Sequence, residues 1–267
     1  KPFEKVVSWA KIAKRTVGFS GADLENMLNE AAILAARHSK KIIGMEEMEE
    51  AATRVKLGPE KKRLQSEYER KMTAYHEAGH AVVGHMVPGA DPVHRISIVS
   101  RLMSLGQTLA LPDRDKYQQT EAELLDQLAM IMGGRAAEEI FFKELTVGAS
   151  NDIEKATQIA RRMVMDFGMS DLGPISLGQS YEMTEWGRAM MEQEQISEEM
   201  RGKVDERVRK LVGEGLSKAK AVLNKNKGKV VKLVEALLEH ETVESEEFEK
   251  LMGTKKASIE EKMADFR

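Results

Sequence analysis

Cysteine is absent from the 267 residues, and with it go disulfides, thiolate zinc sites, iron–sulfur clusters and cysteine nucleophiles. Any metal must be held by His, Asp, Glu or backbone oxygen. Aromatic residues are scarce at 5%, against 17 methionines, which fits a helical core of Leu, Ala, Val and Met better than a β-sandwich. Only 6 prolines accompany 20 glycines, so the chain is neither collagen-like nor a Pro-rich linker. No charge excess exists: 41 basic and 44 acidic residues leave a net charge of −3, which gives no support for nucleic-acid binding. No apolar run approaches the roughly 18 residues needed to span a bilayer, and no signal-peptide pattern occurs. The first residue is Lys1 and the chain opens mid-pattern, so a piece of a longer protein is expected.

What is present is mostly helical periodicity. Ser20-Gly21-Ala22-Asp23 has the form of a capping box, and Leu24, Met27, Leu28, Ala31, Leu34 and Ala35 follow at helical spacing. A second helix is expected over about 45–56. It stops at Gly58-Pro59, and a charged link, Glu60 to Arg63, places a domain boundary at about 58–63. A longer helix is predicted to carry a core stripe of Tyr68, Met72, Tyr75, Gly79, Val82, Val83 and Met86. Two or three short strands follow between Asp91 and Pro112. Thr120-Glu121-Ala122-Glu123 opens what reads as one helix to about Phe142, and Ser150 reads as the N-cap of the next. After a Gly-rich loop over 168–181, a long helix is expected at about 193–223 and two shorter ones before a charged, frayed tail from 253 to 267. Gly213 and Gly215 inside the long helix suggest close packing or a kink.

One string carries chemistry. His76-Glu77-Ala78-Gly79-His80 is an H-E-x-x-H motif inside a predicted helix, the context it requires. Residues four apart share a helical face, so two imidazole nitrogens can converge on one Zn²⁺ at about 2.0–2.1 Å. Glu77 lies about 100° further round. It is better placed to take a proton from a metal-polarised water than to ligate. The bland reading is a chance match on a Glu-rich helix, but two of only 6 histidines bracketing a Glu speaks against it. A third ligand is needed. His38, His85, His94 and His240 are off the face or near helix ends. Asp152, in the first turn after Ser150, and Glu138 or Glu139, after Gly133-Gly134, are the better candidates, and spacing alone does not separate them.

HEAGH, then Leu105-Gly106-Gln107-Thr108, Leu111-Pro112, GGRAAEE at 133–139 and GASNDIEKAT at 148–157 together resemble the FtsH family of membrane-anchored AAA metalloproteases. Upstream, Thr16 to Leu24 followed by Asn29-Glu30-Ala31-Ala32 resembles that family's ATPase lid. The resemblance implies a mostly α chain: a helical lid over 1–57, then a mainly helical zinc metallopeptidase domain over 58–252 with a small β-sheet near the active site. It selects Asp152 as third ligand beside His76 and His80, with Glu77 as the base. It implies a substrate edge strand at Gly106, Gln107, Thr108 and Leu109, and places Gly21 and Ala22 near nucleotide. It implies one Zn²⁺ per chain, ATP and Mg²⁺ in the full-length parent only, a homo-hexamer, unfolded or membrane-protein substrates and no nucleic acid. Membrane attachment would come through segments outside this chain, with these domains on the cytoplasmic side of a bacterial inner membrane or, alternatively, at an organellar membrane. No G-x-x-x-x-G-K-[ST] loop occurs, so no ATPase activity is expected from these residues. The rival reading is a non-catalytic helical oligomerisation scaffold with a vestigial HEAGH.

Overall fold

The computed structural model describes residues 2–59, 66–101, 105–110, 118–177, 181–183, 189–191, 196–253 and 255. The charged link at 60–63, Leu111-Pro112 and nearly all of the tail from 253 to 267 lie outside these. Among the described residues no helix is long and apolar enough to cross a membrane.

Three helices come first: α1 (Trp9–Arg15), α2 (Gly21–Arg37) and α3 (Met45–Leu57). The Ser20 box forms as its residue types require, with Asp23 N–H donating to the Ser20 hydroxyl and Ser20 N–H donating to the Asp23 carboxylate at 2.8 Å. Met27, Leu34, Ile43 and Met48 form a small hydrophobic cluster of their own.

The second and larger cluster is built around α4 (Glu67–Met86). Strands β1 (Val93–Ser97) and β2 (Gln107–Ala110) follow, then α5 (Glu121–Ile131), α6 (Gly133–Phe141), a 3-10 turn at Val147–Ala149 and α7 (Ser150–Met165). A hairpin of β3 (Tyr181–Met183) and β4 (Ala189–Met191) precedes α8 (Glu198–Lys225), α9 (Lys227–His240), β5 (Thr242–Glu244) and α10 (Ser245–Met252). The main sheet has the order β2-β1-β5, antiparallel throughout, with Ile96 opposite both Thr108 and Val243. Period-2 alternation puts these three side chains on one face, and Ile96 and Val243 are fully buried there.

Four expectations need correction. The run from 121 to 142 is two helices, broken at Met132 ahead of the Gly133-Gly134 pair, not one. The stripe of α4 holds at Gly79, Val82 and Val83 but not at Tyr68, which is 52% exposed, and the buried face also takes in Ala74, Ala78 and Ala81, whose small side chains let neighbouring helices close in. Ser150 is the first helical residue of α7, after a turn capped by the Thr146 hydroxyl. The long helix starts at Glu198, with Ser197 as its N-cap, and runs to Lys225. Gly215 does pack closely: a Cβ there would lie 3.2 Å from Leu128, whereas one on Gly213 would meet nothing within 4 Å.

The two clusters are joined by charge. Arg101, 4% exposed, forks its guanidinium onto Glu50 of α3 at 2.7 and 3.1 Å. Arg15 of α1 reaches Glu244 of β5 at 3.0 Å.

Candidate metal centre

α4 and α6 touch backbone to backbone. A Cβ on Gly79 would overlap the carbonyl oxygen of Gly133, and one on Gly133 would stand 2.6 Å from the carbonyl oxygen of Gly79. Only glycine permits this approach, and it brings the imidazoles of α4 against the next helix.

His76 and His80 lie one turn apart on α4, with their Nε2 atoms 3.0 Å from each other. The Oδ2 atom of Asp152, in the first turn of α7, lies 3.0 Å from His76 Nε2 and 3.2 Å from His80 Nε2. These three are the one group of at least three His, Cys, Asp or Glu side chains among the described residues that converges in this way. The other ring nitrogens are engaged: His76 Nδ1 with Glu138 Oε1 at 2.8 Å, and His80 Nδ1 with the carbonyl oxygen of Met130 at 2.9 Å. Both partners are acceptors, so both Nδ1 atoms carry the proton and both Nε2 lone pairs face inward. Two lone pairs and a carboxylate oxygen aimed at one point repel unless a proton or a metal cation stands among them. Ligand bonds of about 2.0–2.1 Å around a tetrahedral ion separate the ligand atoms by about 3.3 Å, close to the distances observed. The donor set therefore fits a zinc-type cation.

The electrostatics agree. Burial alone would push His76 down, but the Asp152 and Glu138 carboxylates outweigh it and raise the imidazole to about 10 in the metal-free site. Burial would raise Asp152, yet the two imidazoles hold it well below the ordinary carboxylate range. Glu138, 2% exposed, is likewise kept ionised against burial by His76 and by the N–H and hydroxyl of Thr146, at 3.0 and 3.1 Å.

Glu77 is 7% exposed and accepts a hydrogen bond from the Thr108 hydroxyl at 2.7 Å. Of the four residues expected to face substrate, Gly106 and Thr108 lie against Glu77, while Gln107 and Leu109 line a small crevice with Ala52, Thr53 and Lys56 of α3. Gly21 and Ala22 are exposed in the first turn of α2, outside the group gathered at His76. Sequence reasoning weighed Glu138 only as a rival ligand and missed its contact with the far nitrogen of His76. Its place one turn after Gly134 was the available signal. Thr146 and the Met130 carbonyl had none.

Comparison with known proteins agrees with this geometry. The model of peptidase family M41 matches residues 63–251, and that of the AAA+ lid domain matches residues 7–50. The chain is 50% identical over 257 residues to the ATP-dependent zinc metalloprotease FtsH of Pseudothermotoga lettingae, covering 95% of this chain and 41% of that protein. It is 48% identical to the protein of the same name from Rubrobacter xylanophilus, over 94% of this chain and 39% of the relative. The Thermotoga maritima protein is also 48% identical, over 95% and 42% respectively. The chain thus spans about two fifths of the length of the curated relatives it matches.

Proposed function

The chain belongs to peptidase family M41, and from that premise we propose that it is the zinc endopeptidase portion of an ATP-dependent, membrane-anchored protease that degrades unfolded or unassembled proteins. The observation that carries this is the inward convergence of His76 Nε2, His80 Nε2 and Asp152 Oδ2 within 3.2 Å, beside the buried carboxylate of Glu77. His76, His80 and Asp152 bind the metal. Zinc held there supplies Lewis-acid polarisation of a water and of the scissile carbonyl.

The chain's own residues do the rest. Glu77 accepts a proton from the attacking water and passes it to the leaving amine. The outer edge of the sheet, at Gly106 to Leu109 where β2 lies last in the order among the described residues, aligns an extended substrate by main-chain hydrogen bonds. Glu138 and the Met130 carbonyl hold both rings in the tautomer that ligates. Residues 1–57 are part of an ATPase lid, with Gly21 and Ala22 toward nucleotide, and 58–252 form the peptidase domain. ATP and Mg²⁺, a homo-hexamer and anchorage in a bacterial inner membrane, with these domains on its cytoplasmic side, belong to the longer parent.

The test is Glu77→Gln. Hydrolysis of an unfolded protein by the zinc-loaded chain should fall by about 10²–10⁴-fold, the usual worth of a general base, with zinc content and circular dichroism retained. Unchanged cleavage would reject Glu77 as the base and favour the scaffold reading.

A further inference from the structure

The carboxylate of Glu77 has two oxygens, and β2 treats them differently. Thr108 Oγ1 lies 2.7 Å from Oε2 and 3.0 Å from the Glu77 backbone oxygen. A hydroxyl has one proton to give. The shorter, charged acceptor takes it, and such charge-assisted bonds are the stronger kind. Oε1 faces Gly106 instead, where a Cβ would come within 2.7 Å of it and within 2.9 Å of Thr73 Cγ2. One oxygen is pinned by a side chain of the strand. The other is spared a side chain because the residue that enters the strand is Gly106.

The strand's register makes this arrangement specific. Thr108 sits opposite Ile96, on the sheet face that packs against α4, while its neighbours Gln107 and Leu109 face the opposite way, toward α3. A hydroxyl at 107 or 109 would not reach Glu77. Thr108 is not one of the converging ligand atoms, and its side chain stands on a face of the sheet, out of the plane in which an extended peptide would add to the strand.

We infer that Thr108 is a positioning residue for the general base. Its hydroxyl fixes the Glu77 carboxylate so that Oε1 is the oxygen that takes the proton, and the same strand that aligns a substrate also aims the base. This rests on the reading of Glu77 given above. A base held in one orientation needs no search at the moment of reaction, and the gain falls on the chemical step rather than on substrate binding.

The experiment uses the zinc-loaded chain and an unfolded protein substrate, with Thr108→Val, Thr108→Ser and Glu77→Gln compared. Valine keeps the shape and loses the hydroxyl; serine keeps the hydroxyl. Thr108→Val should lower kcat by about ten- to a hundredfold, the usual loss when an orienting partner is removed, and change KM by less than about twofold. Zinc content should stay at the wild-type level. Thr108→Ser should recover most of the lost kcat, and adding Thr108→Val to Glu77→Gln should cost nothing more, because the two residues act as one unit. A crystal structure of Thr108→Val should show the Glu77 carboxylate turned from its wild-type orientation. The inference is overturned if Thr108→Val retains full kcat while Glu77→Gln is inactive. It is also overturned if KM rises with kcat unchanged, or if serine loses as much activity as valine. Full activity in Glu77→Gln would instead remove the base itself, and the inference with it.

Discussion

Gly134→Ala is the sharpest probe of the metal centre, because two effects of known sign oppose each other at one atom. Gly134 is the second residue of α6, where the change should stabilise by at most about 1 kcal/mol through propensity alone. Yet a Cβ built on Gly134 lies 2.5 Å from His76 Nε2 and Cε1 and 2.6 Å from His80 Nε2. A carbon needs about 3.5 Å from such neighbours, so the shortfall is about 1 Å. Either α6 retreats, taking Glu138 away from His76 Nδ1, or the two rings rotate. Overpacking of this kind costs about 1–3 kcal/mol, so the metal-free protein should range from unchanged to about 2 kcal/mol less stable.

The larger effect should fall on metal. Ligand positions must hold to within about 0.2 Å, and loss of an outer partner alone costs about 10–100-fold in affinity. That converts to about 1.4–2.7 kcal/mol less stabilisation by zinc, and to a fall of about 3–10 °C in the zinc-dependent rise of Tm for a domain of this size. Competition with a chromophoric chelator gives the affinity, and calorimetry with and without zinc gives the two melting temperatures. Wild-type zinc affinity together with a raised metal-free Tm would refute the reasoning, because it would mean that nothing occupies the space in front of those nitrogens.

Three further outcomes follow from the same structure. Asp152→Ala should abolish zinc retention on dialysis, whereas Glu138→Ala should weaken it by about 10–100-fold. Elemental analysis showing full zinc in the first and none in the second would exchange their roles. Glu47, 1% exposed, would be raised by burial, but Lys40, His38 and the Gly44 N–H overcome this and hold it at about 2. A depressed carboxylate stabilises above its unfolded value and loses that contribution as pH falls from about 4.5 to 2, here about 3 kcal/mol. Amide protection in α2 and α3 should drop over that window in the wild type and drop less in Glu47→Gln, where Asp23 and Glu50 still contribute. Flat wild-type protection down to pH 3 would refute this. Finally, Gly213→Ala should stabilise by about 0.5–1 kcal/mol, since its Cβ meets nothing within 4 Å, and Gly215→Ala should gain less or lose, pressing on Leu128 at 3.2 Å. Equal gains by denaturant titration would contradict the packing.

The chemistry was legible where it depended on short-range spacing. His76 and His80 share a face by helix geometry alone, and the boxes at Ser20 and Thr120 follow from residue types three apart. What could not be read was anything set by how elements meet. Spacing left Asp152 and Glu138 level, and only packing separates them: one reaches Nε2, the other Nδ1. Whether Thr108 faced α4 or α3 depended on strand register, and a slip of one residue would have reversed it. The α4 stripe ran through Gly79, Val82 and Val83, which are buried, but it took in the exposed Tyr68 and passed over the buried Ala74, Ala78 and Ala81. The break at Met132 was hidden because Leu124 and Leu128 continue a helical period straight into Gly133-Gly134.

That break organises the site. Residues 130, 134 and 138 are spaced by four, as are His76 and His80. Met130 offers its carbonyl to His80 Nδ1, Glu138 offers its carboxylate to His76 Nδ1, and Gly134 between them leaves clear the ground before both Nε2 atoms. A continuous helix would have spent the Met130 carbonyl on the N–H four residues later. Ending α5 at Ile131 leaves it in a last turn, where carbonyls lack that partner, free to accept from a ring. The orientation of both imidazoles therefore rests on one helix ending and one glycine contact, and neither residue that takes part in the contact, Gly79 or Gly133, presents any chemistry of its own. Substitutions at these silent positions should weaken zinc binding by about the 10–100-fold that loss of an outer partner costs, less than loss of a ligand, because they disturb the partner of the second nitrogen and leave the first in place.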